Sequence, residues 1–261
     1  MVNLQAIAKT EFANKSWQRN PNFLFSAKDA VCPLSSSEIP RAMMGMPLAF
    51  LCANGEYSLV AILGLEQGAN FFIDATGQWL GNYIPAAYRG YPFVLARNET
   101  EEEQLVLCID KDSGLLNEDD SGEPFFDKNG EPTPTITELI EFLSDLRKGL
   151  QASALICKTL LEHELFKPWE LQFELEDGTK RIEGLFCIDE AALNKLSDKA
   201  FVELRLSGAF PLIYCQLLSM QRISDLTRFA QSKSKANSAS LANELDLDGV
   251  NMSDNISFEN L

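Results

Sequence analysis

The densest set of chemistry-bearing side chains lies between Phe71 and Phe93. There Phe71, Phe72, Trp79, Tyr83, Tyr88, Tyr91 and Phe93 surround one acid, Asp74, and one base, Arg89. Rings with polar tips beside a lone guanidinium suit a cleft for an apolar or aromatic ligand bearing a carboxylate, with Arg89 as anion clamp and Asn70 as a polar contact. The same residues support an enzyme reading, with Tyr83 as acid, Asp74 as base and Arg89 holding a substrate anion. A plainer reading makes the rings core filling between sheet and helix, with Arg89 paired to Asp74 or to a carbonyl. Asn70, Asp74, Trp79, Tyr83, Tyr88, Arg89 and Tyr91 are therefore the binding candidates, and no residue is assigned a catalytic role.

Elsewhere the sequence removes chemistries. Its one histidine, His163, cannot assemble a two-His-one-carboxylate iron site or a three-His zinc site within one chain. No Gly-x-Ser-x-Gly elbow supplies a nucleophile for it to activate. Near the end of a helical pattern, His163 suits the C-terminal carbonyls of a helix instead. The six cysteines, Cys32, Cys52, Cys108, Cys157, Cys187 and Cys215, form no Cys-x-x-Cys pair, which argues against a zinc ribbon or a thioredoxin-type site. In segments such as LVLCID and LFCID they read as buried, reduced thiols. Between residues 99 and 131 twelve acids meet two lysines. Asp110, Asp112, Asp119, Asp120 and Asp127 miss the spacing of a calcium loop, so a solvated acidic face is expected, with a divalent-ion site as the alternative. No metal and no cofactor is assigned.

Elements must position these residues, and 261 residues at 46% hydrophobic and 23% charged can bury a core. Residues 46–53, the turn pair Asn54-Gly55 and residues 57–65 predict a β-hairpin. Further strands are expected at 70–74, 91–97 and 104–110. Thr135-Ile136-Thr137-Glu138 is a capping box behind Pro132 and Pro134. From it Leu139, Leu143, Leu146, Leu150, Leu160 and Leu161 recur at helical spacing to about His163. Gly149 inside that helix costs about 1 kcal/mol relative to Ala, which marks a close contact or a bend. Residues 169–176 and 180–188, joined by Asp177-Gly178, predict a second hairpin. Short helices come next at 189–196 and 198–206, the second capped by Asp198. Pro211, read as an N1 proline, opens a last amphipathic helix to about Phe229. Cys-Ile-Asp recurs at 108–110 and 187–189, either as a duplicated unit or as two buried strands that each need an Asp to cap the next element.

The expected fold is α+β: a largely antiparallel sheet packed by a long helix and a C-terminal helical segment, in one domain over residues 1–230. Residues 231–261 read as a disordered acidic and polar tail, whose LANELDLDGV portion is a docking element or a solubilising one. The formal net charge of −16 speaks against nucleic acid and anionic membrane as partners. No secretory segment opens the chain, and the longest apolar run falls short of the roughly 20 residues that span a bilayer. A cytoplasmic protein without membrane insertion is expected.

The segment AILGLEQGANFFIDATGQWLGNYIPAAYRGYPF, with FFDKNGEPT and LSDKAFVELRLSGAFPLIYCQLLSMQRISDL, resembles the SapC-like family of bacterial proteins, named for association with S-layer export genes. Gly-Leu, Asn-Phe, Gly-x-Trp, Tyr-Ile-Pro and Arg-x-Tyr-Pro-Phe fall in the family's order, from about residue 30 to residue 227. Where members often carry two adjacent bases before Tyr-Pro-Phe, this chain has Arg89-Gly90. The resemblance implies a cytosolic accessory protein, whose relatives' genes lie near TonB-dependent receptors, flavin-dependent tryptophan-halogenase-like enzymes and cupin-like proteins. The expected function is a non-catalytic accessory or binding protein linked to surface-protein biogenesis of the S-layer type or to TonB-receptor-linked uptake. Such a protein would hold a protein partner or a small apolar or aromatic carboxylate. The alternatives are a peptide- or amino-acid-modifying enzyme and a subunit of a complex with a flavin-dependent halogenase-like enzyme.

Overall fold

The structure, a computed structural model, describes residues 3–97, 105–175 and 178–231. The expected tail beyond Gln231, the acidic residues 99–103 and Asp177 of the expected second hairpin turn lie outside the described residues. Leu4–Ala6 (β1) and Ser16–Trp17 (β2) flank one helical turn, Lys9–Phe12 (α1), and Val31–Pro33 (β3) precedes another, Ile39–Ala42 (α2). The expected hairpin comes next as Leu48–Ala53 (β4) and Glu56–Ile62 (β5), paired from Ala53↔Glu56 back to Leu48↔Ala61. Its turn closes because Asn54 and Gly55 both accept positive φ, 52° and 81°, the mirror-image turn that matches strand twist.

Ala86–Arg89 (α3), Phe93–Arg97 (β6), Leu105–Asp110 (β7), Leu116–Asn117 (β8) and Glu123–Pro124 (β9) lead to the long helix Pro134–Glu162 (α4). Phe166–Pro168 (β10), Leu171–Leu175 (β11), Gly178–Ile182 (β12) and Leu185–Ile188 (β13) then give way to Glu190–Leu193 (α5), Asp198–Leu206 (α6) and Ala209–Ser219 (α7). A last helical stretch covers 223–231.

The architecture is mixed α+β, as expected, and every strand pairing among the described residues is antiparallel. The strands form four sheets rather than one: β10-β13-β4-β5-β3, β1-β7-β6, β8-β2-β9 and β11-β12. Two hydrophobic cores result. The larger packs the five-stranded sheet, through Leu48, Phe50, Leu59 and Ile62, against Ile156, Cys157 and Leu160 of α4 and Leu212 and Ile213 of α7. The smaller gathers Phe12, Trp17, Phe93, Leu107, Ile109 and Phe125 around Ile136 and Leu143 of α4. One helix of 29 residues, about 43 Å long at 1.5 Å per residue, therefore serves both cores.

Several local expectations shift by a residue or two, each for a visible reason. Helix α4 is capped by Thr133 rather than by Thr135; Thr133 Oγ1 accepts from Ile136 N–H at 3.4 Å, and Pro134 takes the first helical position. Ser197, not Asp198, caps α6. Helix α7 starts at Ala209, behind Gly208 with φ 73°, so Pro211 sits inside the first turn rather than at its first position. The second hairpin stops at Ile182; Gly184, with φ 84°, breaks the run, and β13 joins β4 and β10. No strand forms at 70–74, because the Asn70 side chain binds its own backbone two residues on, at Phe72 N–H (2.9 Å), and turns the chain. Only an isolated bridge, Ile73↔Trp79, remains. In both Cys-Ile-Asp segments the Asp caps the next element: Asp110 accepts from Asp112 N–H, and Asp189 from Ala191 and Ala192 N–H.

The cysteines are free; Cys32, Cys108, Cys157 and Cys187 are buried, whereas Cys52 is exposed. His163 ends α4, and its Nε2 faces Glu203 of α6 at 3.3 Å instead of the helix carbonyls. Asp127 accepts from Asn129 and Glu131 N–H at 2.8 and 2.9 Å, which builds the expected turn around Asn129-Gly130. Among the described residues no single helix is long and apolar enough to cross a membrane.

Gly149 marks the expected close contact. The chain at 34–37 crosses α4 there, with Ser36 N–H donating to Gly149 O (3.1 Å) and Ser153 Oγ to Leu34 O (3.0 Å). A Cβ at 149 would lie 2.7 Å from Ser35 Oγ and 2.8 Å from Ser35 Cβ. Gly149→Ala gains about 1 kcal/mol of helix propensity but overpacks a contact held on both sides, at about 1–3 kcal/mol. Urea denaturation should show the variant less stable than the wild type; a more stable variant would mean that the contact is slack.

Candidate functional site

The residues from 70 to 92 sort into framework and surface. Asn70 is fully buried and donates to Ser26 O at 3.1 Å while accepting from Phe72 N–H. Asp74 Oδ1 accepts from Thr76 Oγ1 (2.7 Å), Thr76 N–H (2.9 Å) and Gln78 N–H (2.9 Å). Those donors, the Thr76 hydroxyl foremost, hold its carboxyl below the ordinary range. Trp79 stacks on Phe72 with centroids 5.3 Å apart, and its Nε1–H donates to Tyr83 O at 2.7 Å. Tyr91 stacks on Phe25 at 3.8 Å and 2°.

The structure brings Tyr83, Tyr88, Arg89 and Tyr91 together at two adjoining cavities. The larger, about 490 Å³, has aromatic walls of Trp17, Phe23, Tyr88, Tyr91, Phe93 and Phe142 and carries Arg19, Arg89 and Glu138. It lies on the seam between the cores, since Phe23 and Tyr88 pack in the larger core and Trp17, Phe93 and Phe142 in the smaller. The other cavity, about 180 Å³, is bordered by Ser35, Ser37, Glu38, Arg41, Tyr83 and Asp145. Arg89 and Phe142 line both. The exposed Arg89 guanidinium lies 5.2 Å from the Phe142 centroid and 5.8 Å from that of Tyr83, within cation–π range of both.

What fixes Arg89 is a buried carboxylate. Glu38 is 4% exposed; its Oε1 accepts from Ser35 N–H (2.8 Å), and its Oε2 from Tyr83 Oη (2.9 Å) and Ala86 N–H (2.7 Å). Tyr83 Oη in turn accepts from an Arg89 Nη at 3.3 Å. Burial first, then the Glu38 charge, pushes the Tyr83 phenol up to about 12. Tyr88 donates to Asp29 Oδ2 at 3.0 Å, and burial with the neighbouring Cys32 and Asp29 pushes its phenol up as well. Burial likewise takes the Cys32 thiol up to about 12. At neutral pH these groups keep their protons and spend them inside the protein, on Glu38, Asp29 and the Pro33 carbonyl, so the cationic groups that border the cleft are the guanidiniums of Arg19 and Arg89.

Sequence reasoning grouped Asp74 with Tyr83 and Arg89, and the structure instead places Glu38 there, with Asp74 spent on its own turn. Glu38 carried a readable signal, the Ser35-x-x-Glu38 capping-box spacing, realised here as the Ser35 N–H to Glu38 bond. Trp17, Arg19 and Phe142 carried none, because nothing local ties residues 17–19 or 142 to residue 89. A Cβ at Gly90 would meet Leu143 Cδ2 at 2.7 Å. Helix α4 occupies that space.

The Tyr83 environment makes a pH prediction. The folded chain keeps a proton that the unfolded chain releases near the ordinary value of 10.0, so this contribution to stability is complete below that value and is lost as pH rises to about 12. Tyrosinate absorbance, as wild type minus Tyr83→Phe, should show a phenol ionising near 12 in the folded protein. Ionisation at the ordinary value would remove the Glu38 contact.

Comparison with curated proteins and with solved structures gives no match. The SapC family model matches residues 7–226, a span that begins well before the segments carrying the resemblance and takes in the whole cleft and nearly all of both cores, short of Phe229 and Ala230. The chain belongs to the SapC family.

Proposed function

We propose that the chain is a binding protein that holds a small apolar or aromatic carboxylate in the 490 Å³ cleft, with Arg89 as its anion clamp. The observation that carries this reading is charge against background. In a chain of net charge −16, the cleft is lined by two guanidiniums and one carboxylate, and with Arg19 ion-paired to Glu123 it is Arg89 that the cleft offers to an anion, between aromatic walls from two cores. Its volume is that of metabolite sites, and a carboxylate beside a guanidinium gains a charge-assisted hydrogen bond. Asp74, the base of the enzyme reading, has one of its two oxygens filled by its own turn and borders neither cavity, which favours contact over bond-making. An accessory role in surface-protein biogenesis of the S-layer type, or in TonB-receptor-linked uptake, is the setting we attach to it. Delivery of the bound acid to a protein partner in the cytoplasm would connect the two.

Isothermal titration with 3-phenylpropionate and with its uncharged amide tests the reading. The acid should bind and the amide bind more weakly. Arg89→Ala should lose about tenfold to a hundredfold in affinity for the acid, since a hydrogen bond to a charged group contributes about 1.5–3 kcal/mol. Arg89 is exposed, so the melting temperature should move by no more than about 2 °C. Equal binding of acid and amide, or an unchanged affinity in the variant, would take the clamp away.

A further inference from the structure

Trp17 is 6% exposed, and its indole Nε1–H has no acceptor among the described residues. That is unusual for a buried donor, because native interiors pair nearly all of them, with protein, ordered water or a bound group. The contrast with Trp79 is direct: that indole sits in the same aromatic neighbourhood and gives its N–H to Tyr83 O. Trp17 is also held in place. Strand β2 is paired on both edges, Trp17 opposite Leu116 and opposite Glu123, and the ring stands edge-on to Phe93 at 4.9 Å and 90°. A fixed ring cannot turn its N–H to another acceptor.

The position of this donor points to a ligand. Trp17 lines the 490 Å³ cleft together with Arg19, two residues further along, the spacing that puts side chains on one face of extended backbone. Arg19 is bound through two nitrogens to Glu123, at 2.6 and 3.4 Å, so part of its charge is answered, and Arg89 borders the same cleft. An indole nitrogen only donates; toward a ligand it donates to an oxygen and repels an ammonium or an amide N–H. We infer that Trp17 Nε1–H is the donor that specifies the ligand, and that with Arg19 and Arg89 it selects a carboxylate carried on an aromatic or branched aliphatic body. This rests on the ligand reading above and deepens it from the shape of the cleft to the chemistry of what enters. The N–H is sealed from solvent in this form, so bulk water does not satisfy it. A ligand oxygen reaches it only when the neighbours that cover it move outward.

Trp17→Phe keeps a ring against Phe93 and deletes the N–H. Titrated with 3-phenylpropionate, the variant should bind about tenfold more weakly than wild type, with the preference for acid over amide reduced. If wild type and variant bind the acid equally, Trp17 is a wall residue and the inference falls, while the cleft reading stands. If wild type binds no acid, both fall. Should Trp17→Phe not fold, indole ¹H–¹⁵N spectra of the wild type decide. The chain has three tryptophans, and one indole proton must move downfield and exchange more slowly with solvent as the acid is added. No such movement overturns the inference.

Discussion

A carboxylate taken out of water must find donors, and the placement of Arg89 depends on where Glu38 finds its three. They come from separate stretches of chain: the backbone before α2, the phenol of Tyr83 and the first N–H of α3. Each donor left unpaired in such a site costs about 1–3 kcal/mol, so the three stretches are held to one another and not merely near one another. Tyr83, tied to Glu38, presents its oxygen to Arg89; the guanidinium is thus oriented at second hand, by a side chain from far earlier in the chain acting through the phenol. The short helix α3 has no side-chain cap of its own, and the Glu38 oxygen on its first N–H supplies one.

The second constraint is α4. Its first turns pack the smaller core and its last turns the larger, and between them Gly149 lets the 34–37 segment, which ends at Glu38, lie against the helix. The cleft opens where the two cores meet along this helix, so its walls come from both and its width is set by the fixed spacing of one rigid element. Arg89 over Phe142 joins the two sides.

Much of this was legible in the sequence where the signal is local. Asn54-Gly55 gave the hairpin because only a positive-φ pair closes it, and the leucine spacing gave α4 because burial against a core repeats every turn. Gly149 was readable as a contact because a helix tolerates glycine poorly without one. What failed was also local in cause: Thr133 captured the cap because it precedes Pro134, and Asn70 turned the chain where aromatic residues suggested a strand. The site was half legible. Tyr83, Tyr88, Arg89 and Tyr91 share a short segment and could be named together, whereas Glu38, Trp17 and Phe142 reach it only through tertiary packing. Asp74 was grouped with Arg89 by proximity along the chain, and its own turn claimed it first.

A helix that belongs to two cores has a consequence for how the molecule comes apart. Neither core can melt without fraying the half of α4 on which it rests, and the loss passes along continuous helical hydrogen bonds to the other half. The chain should therefore unfold as one cooperative unit instead of two, and a molecule lodged between the cores would protect the amides of both, including strands far from any atom it touches.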